Sequence, residues 1–230
     1  DATARADLSD ASDTALRRMA RDVRLALPNS VRVNGSNHYL DFLATTGGGR
    51  YRAVDDASGT SDKLDFTAAD TGFDVLGSTV DITAGDQIVV YNLGVSGADA
   101  YEGNTAITHV RRAAAAAGIG LSKVSITSIS RMPFDSPAHR FQVVHEQVRY
   151  ICDLTTKKLT RYAGFAIATP AATVPTGGSS ALLASGVTGC SFVYAPGSAQ
   201  RTGLVTISLT LANDRDSVTL LHQIHVQNVP

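Results

Sequence analysis

The chain has 230 residues, with 21 Asp and Glu against 20 Lys and Arg and a formal net charge of −1. That balance excludes bulk electrostatic attraction to nucleic acid or to an anionic membrane surface. With 43% apolar and 18% charged residues, it reads as a globular chain long enough to bury a core, with no apolar run of eighteen residues to cross a bilayer as a helix.

Residues 8–27 (LSDASDTALRRMARDVRLAL) carry a clean helical period. On a helical wheel Leu8, Leu16, Met19, Val23 and Leu27, with Ala15, Ala20 and Ala26, fall in one arc of roughly 140°. This predicts a helix about 30 Å long whose packing face is that arc. Arg17, Arg21 and Arg24 lie on the other side, and Leu25 stands opposite the arc. Asp7, Asp10 and Asp13 crowd the beginning and the arginines the end, as the helix macrodipole favours, and Asp13/Arg17 and Arg18/Asp22 are i,i+4 pairs. Pro28 disfavours helical geometry before it and should stop the helix near Leu27. No N-cap with a capping box precedes Leu8, so the helix is expected to begin at or before Asp1.

After Ser30 the period changes toward 2. Residues 31–33 and 38–43 read as a strand pair around the turn 34–37, and Gly47, Gly48 and Gly49 should break the chain before a further strand at 50–52. Residues 53–86, rich in Asp, Ser, Thr and Gly, read as a long surface excursion with a little β structure. A β-branched run at 87–92 is a strand. The alanine-rich 106–117 is compatible with a short helix ending at Gly118, and 123–130 returns to strand spacing. Pro133 and Pro137 frame a loop. A meander of strands is expected at 140–144, 147–153, 159–165, 187–195, 204–212 and 217–227, the last two alternating strongly enough to form the centre of a sheet that the helix covers. The Pro/Gly/Ser-rich 166–186 reads as a mobile loop.

The chain has two cysteines, Cys152 and Cys190, each inside a strand-like segment. This suits one disulfide in an oxidising compartment, contributing roughly 4 kcal/mol by restricting the unfolded chain, and leaves two buried thiols in a reducing compartment as the alternative. The six histidines are scattered: His222 and His225, three apart on a strand, point to opposite faces and cannot share an ion locally. Asp55, Asp56 and Asp62 offer oxygen ligands in one loop but lack the spacing, glycine and terminal Glu of an EF-hand, so a solvated loop is the better reading. Neither Gly47–Gly49 nor Gly118-Ile119-Gly120 makes a phosphate cradle, and no nucleophile elbow or marked carboxylate pair is present. These residues call for no metal, no cofactor and no catalysis.

The blocks RRMARDVRLALPNSVRV (17–33), GGRYR (48–52), SPAHRFQVV (136–144), VRYIC (148–152), LTRYAGF (159–165) and VTLLHQIHVQNVP (218–230) resemble the minor pilins and pseudopilins of MSHA-type type IV pili. Residues 53–86 and 166–186 carry little of the likeness. The resemblance implies one pilin-like α+β domain over residues 1–230, with a long N-terminal amphipathic helix (1–28) packed on an antiparallel β-sheet head (29–230). It further implies a leader and a hydrophobic helix half upstream that anchors the protein in the inner membrane, a head in the periplasm, and later incorporation into a pilus at the cell surface. Partners would be other pilin and minor pilin subunits and the pilus assembly machinery, with Arg17, Arg21, Arg24 and Leu25 as candidate subunit contacts. A second expectation is an adhesin-like module that recognises a glycan or protein through the long segments 53–86 and 166–186.

Overall fold

An alanine-rich, charge-paired sequence carries helix α1 over Ala2–Val23 in the computed structural model, which describes residues 2–127, 129–197 and 202–230. An origin at Asp1 lies outside the described residues, as does Ser128 in the strand expected at 123–130. Ala15, Leu16, Met19, Ala20 and Val23 are buried on one face, and Leu8 is half-buried at its margin. The helix ends four residues before Leu27 because the sheet recruits the next backbone groups. The amide of Leu27 donates to the carbonyl of Leu43 at 2.7 Å, Thr45 donates to the carbonyl of Leu25 at 2.9 Å, and Ala26 bridges to Ala44. Leu27 is therefore not on the helical packing face. It is buried in a separate cluster with Leu43, Val89 and Val144.

Fourteen strands follow among the described residues. They are β1 (Arg32–Asn34), β2 (Tyr39–Tyr51), β3 (Gly72–Leu76), β4 (Val80–Ile82), β5 (Gln87–Val89), β6 (Arg111–Ala113), β7 (Gly118–Leu121) and β8 (Lys123–Ser125), then β9 (Arg140–Asp153), β10 (Lys158–Phe165), β11 (Ser179–Ser185), β12 (Val187–Ala195), β13 (Gly203–Ala212) and β14 (Ser217–Val226). A nine-stranded sheet runs β11-β10-β9-β2-β3-β8, with β1 on β2 and β5 joining β9 to β6. A three-stranded sheet runs β12-β13-β14, and β4 pairs with β7. All the pairings are antiparallel.

The α+β expectation, a long helix laid on one antiparallel sheet head, is therefore corrected. The chain is mostly β, with a single N-terminal helix and three separate sheets among the described residues. The division falls at Gly186, whose φ of +73° turns the chain from β11, bound to β10, into β12, bound to β13. A Cβ there would meet the carbonyl oxygen of Ala212 at 2.8 Å, so the turn is built for glycine. The strongly alternating β13 and β14 thus organise a sheet of their own.

Other expectations change for similar reasons. Gly47, Gly48 and Gly49 do not break the chain: β2 runs through them to Tyr51 with register shifts near Thr45. A Cβ on Gly48 would lie 2.7 Å from the carbonyl oxygen of Phe141, so the glycines let two backbones pass closely. The segments 140–144 and 147–153 form one strand, β9. The alanine run forms no helix. Its centre, β6, pairs with β5 because Arg111 and Arg112 are buried on opposite strand faces, and tertiary bonding overrides alanine's helical propensity. The second half of 166–186 is ordered as β11.

Candidate functional site

The last turn of α1 is fixed by one acid. Asp22 accepts a hydrogen bond from Tyr150 Oη at 2.5 Å and from Arg161 Nε at 2.6 Å, so it turns to β9 and β10 rather than to Arg18 in the expected i,i+4 pair. Burial, together with the Asp22 carboxylate, holds the Tyr150 phenol well above its ordinary range, so it stays a neutral donor. With the apolar arc buried and Asp22 tethered, the rotation of the helix is set.

That rotation leaves Arg17, Arg21 and Arg24 exposed. Arg17 pairs with Asp13 at 2.7 Å, and Arg17, Arg18 and Arg21 border a surface hollow of about 480 Å³ with Thr14 and Asp22. Leu25 is 52% exposed, yet its backbone is held, since its carbonyl accepts from Thr45 Oγ1 at 2.7 Å. The structure thus brings Arg17 and Arg21 into one hollow, with Arg24 and Leu25 following on the turn after the helix. These are exposed cationic donors, and isolated surface ion pairs contribute little to the fold itself.

The other residues singled out from the sequence lie elsewhere. Cys152 and Cys190 are joined, with Cα atoms 6.2 Å apart, and the bond ties β9 of the large sheet to β12 of the small one. Asp55, Asp56 and Asp62 are each occupied locally. Asp55 accepts from the Lys63 amide at 3.0 Å, Asp56 from the Ser58 amide at 2.9 Å, and Asp62 from Lys123 Nζ at 2.6 Å. Bonds from Ser58 hold the Asp56 carboxyl below its ordinary range. His145 Nδ1 lies 2.7 Å from Asp86, and His139 lies 3.3 Å from Asp135.

Sequence reasoning missed the buried polar groups. Asp41 is fully buried and accepts from Arg149 Nε at 2.9 Å and Gln147 Nε2 at 2.8 Å. The signal was present: between Gln147 and Cys152 the polar residues Gln147 and Arg149 stand two apart among apolar ones and therefore share a face. Arg111 and Arg112, hidden in the alanine run, carried no such pattern. No protein-family model, curated protein or solved structure matches this chain.

Proposed function

We propose that the chain is a minor pilin or pseudopilin, resembling the MSHA biogenesis protein MshO, that serves as a structural subunit in assembly or priming of an MSHA-type type IV pilus and turns over no substrate. The observation that carries this reading is the two-sided α1: Leu16, Met19 and Val23 are fully buried, whereas Arg17 and Arg21, with Arg24 on the turn that follows, are exposed. One side holds the helix to its own sheets and the other is offered to neighbours. In this reading a hydrophobic helix half preceding residue 1 anchors the protein in the inner membrane, the head stands in the periplasm, and acidic surfaces of other pilin subunits and of the assembly machinery dock on the arginines and Leu25.

The test is a photo-crosslinker at Leu25 in the full-length protein in cells, together with the Arg17→Glu/Arg21→Glu/Arg24→Glu variant. Crosslinks to other pilin subunits, and loss of pili with an unchanged melting temperature, are expected. A triple variant that assembles normally overturns the proposed contact face. A conventional secretory signal upstream, in place of an apolar run of about twenty residues after a prepilin cleavage site, overturns the pilin reading itself.

A second reading, an adhesin-like surface module, is favoured by one specific feature: a polar pocket lies where the segments 53–86 and 166–186 approach each other, with Gly85, Ala166 and Ile167 in its wall.

A further inference from the structure

That pocket has a volume of about 340 Å³, within the range of small-ligand sites. Gln87, Asn104, Arg111, His145, Glu146 and Phe165 supply its chemistry. Arg111 is 6% exposed; its Nε donates to the carbonyl of Ala100 at 2.6 Å and its Nη1 to Gln87 Oε1 at 2.9 Å. Among the described residues Nη2 has no acceptor, and no carboxylate lies within ion-pair distance of this guanidinium. Burial pushes it down to about 10, which still leaves a cation at neutral pH.

The neighbouring arginines show what is missing. Arg149 has Asp41, Arg161 has Asp22 and Glu146, and Arg32 has Asp99. Arg112, fully buried, has its donors taken by the carbonyls of Ala106, His109, Arg111, Ser130 and Arg131 and by the Ser130 hydroxyl. A buried charge with neither a counter-ion nor a full set of acceptors is costly, and buried perturbed groups in a cleft mark ligand sites. Arg111 Nη2 is not sealed from solvent, and it opens into the pocket with no acid in ion-pair reach among the described residues.

The rest of the wall specifies what carries that anion. Asn104 Nδ2 is bound to Gln87 Oε1 at 2.9 Å, which leaves its Oδ1 as an acceptor. Glu146 uses Oε1 on Arg161 at 3.4 Å and keeps Oε2. His145 uses Nδ1 on Asp86 and keeps Nε2. A bare dianion would face Glu146 with nothing to donate to it, whereas a monoanion bearing hydroxyl groups satisfies the arginine and the acceptors together.

We propose that this pocket binds an acidic monosaccharide unit, its carboxylate on the open Nη2 of Arg111 and its ring hydroxyls donating to Asn104 Oδ1 and Glu146 Oε2, with Phe165 as the apolar wall. The inference deepens the surface-binding reading and is tested on the isolated chain, so its failure is distinct from a failure of pilus assembly. Isotope-labelled protein is titrated, by NMR, with glucuronate, glucose, N-acetylalanine and inorganic phosphate. Glucuronate is expected to shift the Asn104 side-chain amide and the Arg111 Nε–H saturably, with glucose at least about tenfold weaker for lack of the charge-assisted bonds. Arg111→Gln should abolish binding. Because that residue is buried, Asn104→Ala is the companion variant, expected to weaken glucuronate several-fold with an unchanged melting temperature. No saturable glucuronate binding, equal binding of glucose, tighter binding of N-acetylalanine or phosphate, or an unaffected Asn104→Ala each overturns the assignment.

Discussion

Around α1, the side chains of Leu16, Met19 and Val23 meet Phe192, Val205, Ile207, Leu209 and Leu211 in a cluster of hydrophobic residues from which Tyr150 reaches out to Asp22. The cluster around Tyr51, Phe73 and Phe141 is equally buried, with Phe73 and Phe141 rings 5.0 Å apart, but its border is polar. Tyr51 donates to Asp135 and accepts from the Ser136 amide at 2.8 Å. Nearby, Arg112 gathers five backbone carbonyls, and Asn92 ties the carbonyl of Pro28 at 2.7 Å to the amide of Ala100 at 2.9 Å. The difference follows from the backbone. Long paired strands and a helix satisfy their own amides, so most of their inward side chains are apolar, with Asp41, Gln147 and Arg149 an exception on β2 and β9. The irregular 90–110 and 129–139 segments cannot, and once buried they need side-chain donors and acceptors.

Changes at five places test this contrast, beginning where the effect should be largest. Leu16→Asp places a charge in the apolar cluster and should cost more than about 5 kcal/mol, abolishing the cooperative melt; a wild-type melt would break the contrast at its strong end. Asp41→Ala strands the buried guanidinium of Arg149 and should cost about 3–5 kcal/mol. Burial raises the Asp41 carboxyl above its ordinary 3.8, outweighing the lowering by Arg149 and Gln147. The stability this group contributes by binding a proton is thus complete below 3.8 and lost as pH rises through the folded value, a slope that Asp41→Asn should erase from melts recorded across that window.

Removing the Cys152–Cys190 bond by a double serine variant or by reduction should cost roughly 4 kcal/mol and lower the melting temperature without altering the fold, read by calorimetry and circular dichroism. An unchanged melt after confirmed reduction would remove the stabilising role of the inter-sheet bond. Arg112→Met leaves buried carbonyls without donors and should cost about 3 kcal/mol, with faster hydrogen exchange confined to 105–112 and 129–132. Exchange that rose equally around α1 would show that the two regions are not separable. Arg24→Glu should change stability by no more than about 0.5 kcal/mol, and a larger shift in the denaturant midpoint would mean that the outer helix face serves the fold.

Much of the apolar region was legible in the sequence. The arc containing Leu16, Met19 and Val23 comes directly from a 3.6-residue period, the strands at 187–226 from a period of 2, and the turn between β1 and β2 from Asn34 to Asn37, where Ser36 and Asn37 adopt φ of 54° and 68°. Far less of the polar region was legible, because a buried arginine has no period: Arg111 and Arg112 sit in a run whose local propensity is helical.

The sequence by itself determined the amphipathic start, the β-rich remainder and two cysteines inside strand-like segments, because these depend on neighbours within a few residues. Only the tertiary structure decided that the helix ends at Val23 under the pull of Leu43 and Thr45, that three sheets form where one was expected, and that Arg111 is left without an acid among the described residues. Each depends on which distant backbone or carboxylate comes within hydrogen-bond reach, and that distance is a property of the folded chain.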